Sequence, residues 1–320
     1  MSWSGFWRPG SRHGNHDVGR EVLEVLIQGQ KHQLTVFTRT AAPDLAAHGV
    51  NLIQVDYNDR DTLAGYLGGV HTVLSFISPT AVEAGSAQKN LIDASIKAGV
   101  QRFAPSEWAT RSSSGIAGYS MKDEVHEYLK EVNKEKKVLE YCLFQPGMFM
   151  NYLSFPYPST KHLQIFGLQY DLQNRRAIVP SNIDFPMTVT KVQDLASVVA
   201  EAIDYEGEWP ETGGICGSRT TSSELIKLAE SIRGPFQIET VQAEAIEAGR
   251  LNTSWIPLIE PPSLPPGMDV RAFSEAVISS VMAGALRGTW AVSNEWNQLL
   301  PNLKMTTVDE FLRDIWEGKP

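Results

Sequence analysis

The chain has 320 residues, 42% hydrophobic and 20% charged, which excludes disorder and coiled coil and supplies one sizeable core or two smaller ones. Its 28 Lys and Arg against 37 Asp and Glu give a net charge of −9, the wrong sign for a protein whose main partner is a nucleic-acid backbone. Cys142 and Cys216 are too few for a disulfide framework and too far apart for a zinc ligand pair, so a reducing, cytoplasmic setting is expected.

Residues 1–12 (MSWSGFWRPGSR) lack the apolar core of a secretory signal. Over residues 17–28, Val18, Val22, Val25 and Leu26 follow helical spacing, and Gly29 stands where a helix would stop. Strands are then expected at 34–38 (LTVFT), 51–56 (NLIQVD) and 72–78 (TVLSFIS), with a short helix at 59–67. A helix over 82–98 ending at Gly99, a strand at 101–104, a helix over 121–135 and a strand at 139–144 continue the alternation. Such a pattern predicts a Rossmann-like, doubly wound parallel sheet covered by helices on both faces, an α/β fold.

Past Pro146 the pattern loosens. Helices are expected at 191–203, at 223–232 behind a Ser222 cap, at 271–286 and at 307–316, with a strand at 177–179 and a proline-rich loop between residues 257 and 266. The weakly polar stretch 275–287 falls short of the roughly 18 apolar residues of a membrane span, so no membrane partner is expected. The predicted division is a Rossmann-like, dinucleotide-binding domain at 1–150 and a smaller α+β region at 151–320 that shapes a substrate pocket.

The cofactor end departs from the expected pattern. A dinucleotide fold needs a glycine-rich turn between its first strand and first helix. Gly14 and Gly19 are the glycines at hand, but His13 and His16 stand at the other two positions of a G-x-x-G-x-x-G turn, where only glycine permits close backbone approach. Residues 1–12 also lack the Val/Ile character of a buried central strand. Both the first strand and the turn therefore read as degenerate, either through an aberrant start that removed the strand or through a divergence that gave up ordinary dinucleotide binding. Gly14 and Gly19 then read equally as a loop glycine and a helix-packing glycine. Arg39 ends the strand LTVFTR, where an arginine accommodates a 2′-phosphate; a solvated strand-end arginine is the plainer alternative. Asp56 either approaches an adenine or caps the loop at 57–59.

The strings LTVFTRT, GVNLIQVDYNDRDTLAGYLGGVHTVLSFIS, QKNLIDASIKAGVQRFAPSEW, LEYCLFQPGMFMNYL and NEWNQLLPNLKMTTVDEFL resemble, in this order, the NmrA-like and isoflavone reductase-like family of atypical short-chain dehydrogenases. The run from Ala98 to Trp108 is the most specific piece. The resemblance implies NADP(H) and reduction of a small, often aromatic or polyketide-like substrate of secondary metabolism. It places the family's proton-transfer and ribose-binding lysine at Lys122. Tyr119 is three residues from Lys122 where ordinary short-chain dehydrogenases have four, so Tyr119 is not taken as the acid, and Ala109 replaces the family glycine after PSEW. Ser78 and Pro79 match the loop that passes the pyrophosphate and ribose. Gln88 matches a glutamine near the nicotinamide ribose, and Pro146 to Phe149 the segment beside the nicotinamide. Capping or core packing is the alternative for each.

An ammonium at Lys122 suits charge developing on a carbonyl oxygen; its alternative is a surface lysine paired with Glu124 or Glu127. His126, one turn on, either relays a proton or is a helix-surface histidine. No metal cluster, paired glycosidase carboxylates or Ser-His-Asp arrangement is visible. Two functions follow: an NADPH-dependent reductase of a carbonyl or conjugated double bond, or a non-catalytic NADP(H)-sensing regulator with a protein partner. Retention of Lys122 favours the first, and loss of the glycine turn favours the second or a chain with impaired cofactor binding, since fold alone cannot arbitrate.

Overall fold

Four strands of the first half carry two adjacent apolar residues that point to opposite faces, because side chains alternate along extended chain. Val36, Leu74, Ala104 and Phe144 face one apolar cluster and their neighbours Phe37, Val73, Phe103 and Leu143 face another, all but excluded from solvent. Such strands are stable only in a sheet covered on both sides. The computed structural model describes residues 2–4, 15–38, 45, 48–78, 83–260 and 267–319 and contains that sheet.

Strands β1 (Ser2–Ser4), β2 (Thr35–Thr38) and β3 (Asn51–Gln54) pair in parallel, with Trp3 opposite Val36 and Val36 opposite Leu52. Parallel pairing also joins β4 (Thr72–Leu74), β5 (Arg102–Ala104) and β6 (Glu140–Tyr141), and β6 runs on into β7 (Leu143–Gln145). β1 lies alongside β4, so the order is 3-2-1-4-5-6, that of a dinucleotide-binding sheet. The first strand, expected to be degenerate, is the short segment Ser-Trp-Ser, which takes the central place by backbone pairing that needs no Val or Ile.

Helix α1 (Asn15–Gly29) buries Val18, Val22, Leu23 and Leu26 on one face of the sheet. α2 (Arg60–Tyr66), α3 (Ala84–Ala98) and α4 (Ser120–Val132) cover the other with Leu63, Leu91, Ile92, Val125 and Leu129. Gly99 ends α3 with φ 76°, a conformation glycine adopts freely. α4 stops three residues short of the sequence expectation because the Asn133 carboxamide oxygen accepts from the amides of Val138 (2.8 Å) and Leu139 (3.0 Å), turning the chain into β6.

Residues past 150 also join this layer. α5 (Val192–Asp204) packs on α1, and β12 (Thr212–Gly214) extends the parallel sheet beside β7. The rest of the later half builds two small sheets. One joins β8 (Met148–Phe149), β11 (Pro186–Thr190) and β13 (Ser218–Thr221); the other joins β9 (Tyr170–Asp171), β10 (Arg176–Pro180) and β14 (Gln237–Val241). α6 (Ser222–Arg233), α7 (Ala243–Glu247), α8 (Val270–Leu286), α9 (Glu295–Leu299) and α10 (Val308–Trp316) complete it. A third apolar cluster, with Leu225, Ile278, Met282 and Trp316, holds this half together. The cap of α6 is Thr221, in a reciprocal box with Glu224, rather than Ser222, whose hydroxyl meets that of buried Tyr170 at 2.9 Å. Among the described residues no helix is long and apolar enough to cross a membrane.

Candidate active site

The chemistry-bearing residues gather at the carboxyl edge of the parallel sheet, where β4, β5 and β7 end side by side. Segment 105–109, which follows β5, is tied to its surroundings at four points. Ser106 N donates to Gln88 Oε1 (2.8 Å), Trp108 N to Phe144 O (3.0 Å), Trp108 Nε1 to Ser75 O (2.8 Å), and Gly147 N to Ala109 O (2.9 Å). Trp108 has φ 46°, a left-handed conformation that a bulky residue keeps only when its surroundings enforce it, at about 1–3 kcal/mol. Here the indole is stacked between Phe76 (4.4 Å) and Phe144 (5.4 Å), nearly parallel to both. The reversal puts Trp108 in a cavity wall and leaves Glu107 buried on the inner side, 2% exposed.

Lys122 enters from the first turn of α4 and is 4% exposed. Its Nζ donates to the Glu107 carbonyl oxygen and lies 3.9 Å from the centroid of the Tyr119 ring, a cation–π contact. Burial draws the ammonium down to about 8, against the opposing fields of Glu107 and Asp123. Burial pushes the Glu107 carboxyl up to about 7, opposed by Lys122 and by a hydrogen bond from Gln145. The Tyr119 hydroxyl is pushed up to about 12, first by burial and then by Glu107, so it stays protonated at neutral pH. Lys122 is therefore a buried, easily deprotonated amine rather than a surface lysine paired with Glu124 or Glu127.

Beside this group lies a cavity of about 200 Å³ with aromatic walls from Trp108, Tyr119, Phe149, Tyr152, Phe166 and Trp290. The remaining lining is aliphatic side chains, Met148 and Gly147, and among the described residues none of it is charged. Gly147 has no alternative there, since it has φ 72° and a Cβ would fall 2.3 Å from the Thr188 carbonyl oxygen. Lys122 does not line the cavity; the Tyr119 ring stands between them. A larger open groove of about 770 Å³ beside α2 holds Asp56, Arg60, Asp61 and Lys97. Its cations are bound to acids, Arg60 to Asp93 and Lys97 to Asp61, both at 2.8 Å, so it reads as a solvated surface.

Phe149 lines the cavity, and Lys122, which does not, contacts the Tyr119 ring of its wall. Gln88 is fully buried, and its amide is engaged by Ser106 N and, through Nε2, by Met121 Sδ at 3.1 Å. Ser78 is half-buried beyond β4, and Gly19 lies buried within α1. Gly14, Arg39, His13 and Pro79 lie outside the described residues, and His16 falls in the first turn of α1. The Asp56 carboxylate accepts from Asn58 N at 2.9 Å, closing its own loop. His126 packs edge-on against Tyr141 at 6.2 Å, its basicity lowered by burial. Among the described residues no three His, Cys, Asp or Glu side chains come together as a metal site. Sequence reasoning did not single out Glu107, although an acid three residues past a buried strand was a signal. It had no signal for the walls supplied from α8 by Val277 and Val281, or for Trp290.

Residues 16–248 match the profile of the NmrA-like family. Oxidoreductase BOA1 of Botryotinia fuckeliana is 27% identical over 235 residues, 69% of this chain and 74% of the relative. The fold superposes on the NADPH complex of the Escherichia coli quinone oxidoreductase QOR2 with a TM-score of 0.69 at 20% identity, covering 99% of this chain and 100% of that one. It superposes on the NADP(H) complex of the Citrobacter sp. triphenylmethane reductase with a TM-score of 0.68 at 16% identity, covering 98% and 100%. With the profile spanning most of its length, the chain belongs to the NmrA-like family.

Proposed function

We propose that this chain is an NADPH-dependent oxidoreductase that reduces a small, uncharged aromatic or polyketide-like secondary metabolite at a carbonyl or conjugated double bond. The observation that carries the reading is a desolvated amine, Lys122, one ring's thickness from an uncharged aromatic cavity at the carboxyl edge of a parallel sheet. Relatives named oxidoreductases, and neighbours of the same fold holding NADPH or NADP(H), support it.

The residues present suit the nicotinamide end of the cofactor. The flat walls of Trp108 and Phe149 suit an uncharged ring. Ser75 Oγ and Gln145 Oε1 are buried at this edge with no partner among the described residues, a supply of hydrogen-bonding atoms for a carboxamide or a ribose. Arg39 takes the 2′-phosphate, Gly14 and Gly19 admit the pyrophosphate near α1, and Ser78 flanks the ribose. Gln88 serves the site by holding Ser106 in place. NADPH, when bound, supplies the hydride. As negative charge develops on the substrate oxygen, Lys122 Nζ gives up a proton: the N–H bond breaks, an O–H bond forms, and the neutral amine regains its proton from solvent. A charged substrate would lose its hydration with no counter-charge in the wall, a cost of several kcal/mol.

Fluorescence titration with NADPH and NADH tests the cofactor assignment. NADPH should bind more tightly, and Arg39→Ala should weaken it by about 1.5–3 kcal/mol, the scale of a lost charge-assisted hydrogen bond, while leaving NADH almost untouched. A folded protein that binds neither nucleotide would contradict the reading.

A further inference from the structure

We propose that Glu21 is a positioning residue for this site: from α1 its carboxylate holds residues 161–163 in place and so fixes the wall against which an uncharged aromatic molecule binds in the cavity. That the bound molecule is reduced rests on the proposed reductase function; the hold on the wall does not.

Residues 161–168 form neither helix nor strand, yet Leu163, Phe166 and Leu168 all line the cavity. An irregular segment offers its amides no ladder partner, and a buried amide has to be bonded elsewhere. The amides of Lys161 (3.0 Å), His162 (2.7 Å) and Leu163 (3.1 Å) all donate to one oxygen, Glu21 Oε1, and Glu21 is only 6% exposed. Successive N–H groups that converge on one point make a concavity for an anion. Here α1 fills it with a side-chain carboxylate, so the three bonds are of the stronger, charge-assisted kind.

The same helix borders the cavity. Val18 stands one turn before Glu21 on α1 and lines the cavity itself, so the reach of the Glu21 side chain sets the gap between Val18 and Leu163. Glu24, one turn further on, accepts from Lys161 Nζ and meets His162 Nε2 at 2.7 Å, bracing the same residues by their side chains. Ahead of them Gln193 Nε2 donates to Ser159 O at 2.8 Å, and beyond them the chain enters β9 at Tyr170. The Phe166 ring packs on Tyr152 at 4.8 Å. A wall fixed in this way meets its ligand preformed, whereas a loose one must be ordered at each binding event, which weakens affinity.

The test is the binding of 2-acetylnaphthalene, an uncharged aromatic ketone, followed by tryptophan quenching because Trp108 and Trp290 line the cavity. Glu21→Met, of similar length but with no acceptor, should weaken binding by about tenfold, the scale of ordering one or two side chains, and should raise amide exchange at 161–163. Glu21→Gln keeps an acceptor oxygen and should recover most of both. Glu21→Asp withdraws the carboxylate by one methylene and should fall between them; it supplies the comparison if Glu21→Met does not fold. In turnover, KM should rise while kcat stays within a few-fold. A merely structural role would lower the urea midpoint and leave the affinity of the folded protein in place. Unmoved affinity in the folded variants, unmoved exchange at 161–163, or a parent that binds no ketone therefore overturns the proposal. Ketone binding that follows Glu21 in a parent that oxidises no NADPH upholds the positioning role and counts against the reductase reading.

Discussion

At Tyr119 the structure separates two roles that sequence spacing could not. The ring covers Lys122 from the cavity and its hydroxyl holds its proton to about pH 12, so the phenol is a poor acid and the ring a cover. Tyr119→Phe should therefore keep single-turnover NADPH oxidation within a few-fold of the parent; a loss of a hundredfold or more would make the hydroxyl a participant. The pH response follows from the buried pair. Lys122 lies below its ordinary value, so its contribution to stability is complete above about pH 10.5 and is lost as pH falls through about 8. Glu107 lies above its ordinary value, so its contribution is complete below about pH 4.5 and is lost as pH rises through about 7. Between pH 7 and 8 the fold bears the cost of both charges. The double substitution Glu107→Gln with Lys122→Met should then be neutral or stabilising by about 1–4 kcal/mol in thermal melts at pH 7.5. A clear fall in Tm would mean that the pair contributes net stability.

Among the elements, α1 reaches the cavity through a loop 140 residues away in sequence. Glu21, buried on α1, accepts through Oε1 from the amides of Lys161 (3.0 Å), His162 (2.7 Å) and Leu163 (3.1 Å), and Leu163 is part of the cavity wall. Glu21→Ala should cost about 1.5–3 kcal/mol in urea unfolding, the scale of a hydrogen bond to a charged group, and raise amide exchange at 161–163; unchanged exchange there would remove the latch. The elements themselves were largely legible in sequence. Val18, Val22, Val25 and Leu26 mark α1 because one stripe of a helix is buried, and LTVFT marks β2 because both its faces are. β1 was not legible, since Ser-Trp-Ser holds its place through backbone pairing with β2. The Thr221 cap was missed because Thr221 and Ser222 are both good caps, and the reciprocal bond to Glu224 decides between them.

Across the whole molecule a ladder of rings links the two halves. Phe76, Trp108, Phe144 and Trp296 stack in sequence, Trp209 meets both Phe144 and Trp296 edge-on, and the Trp296 indole donates to Cys142 Sγ at 3.4 Å. Trp296 thus brings the C-terminal segment onto the sheet beneath the site, while Glu295 accepts from Gly214 N at 2.8 Å on β12. Phe144→Ala should cost about 3–5 kcal/mol and loosen the Trp108 turn, so NADPH oxidation should fall with stability; a stable, fully active variant would show the ladder to be dispensable. In the site, Phe149 lies in one of the strings that carry the resemblance, and Lys122 is placed by its position on the helix after PSEW. The walls from α8 were not readable, because residues 277 and 281 meet Trp108 only through the tertiary fold. The reductase reading is tested most directly by single-turnover NADPH oxidation from pH 6 to 10 in the parent and Lys122→Ala, with uncharged aromatic ketones and enones and circular dichroism as the folding control. The parent should turn over with a rate that falls above about pH 8, and folded Lys122→Ala should be slower by roughly two to four orders of magnitude, the contribution of positioned proton transfer; full activity in folded Lys122→Ala would contradict it.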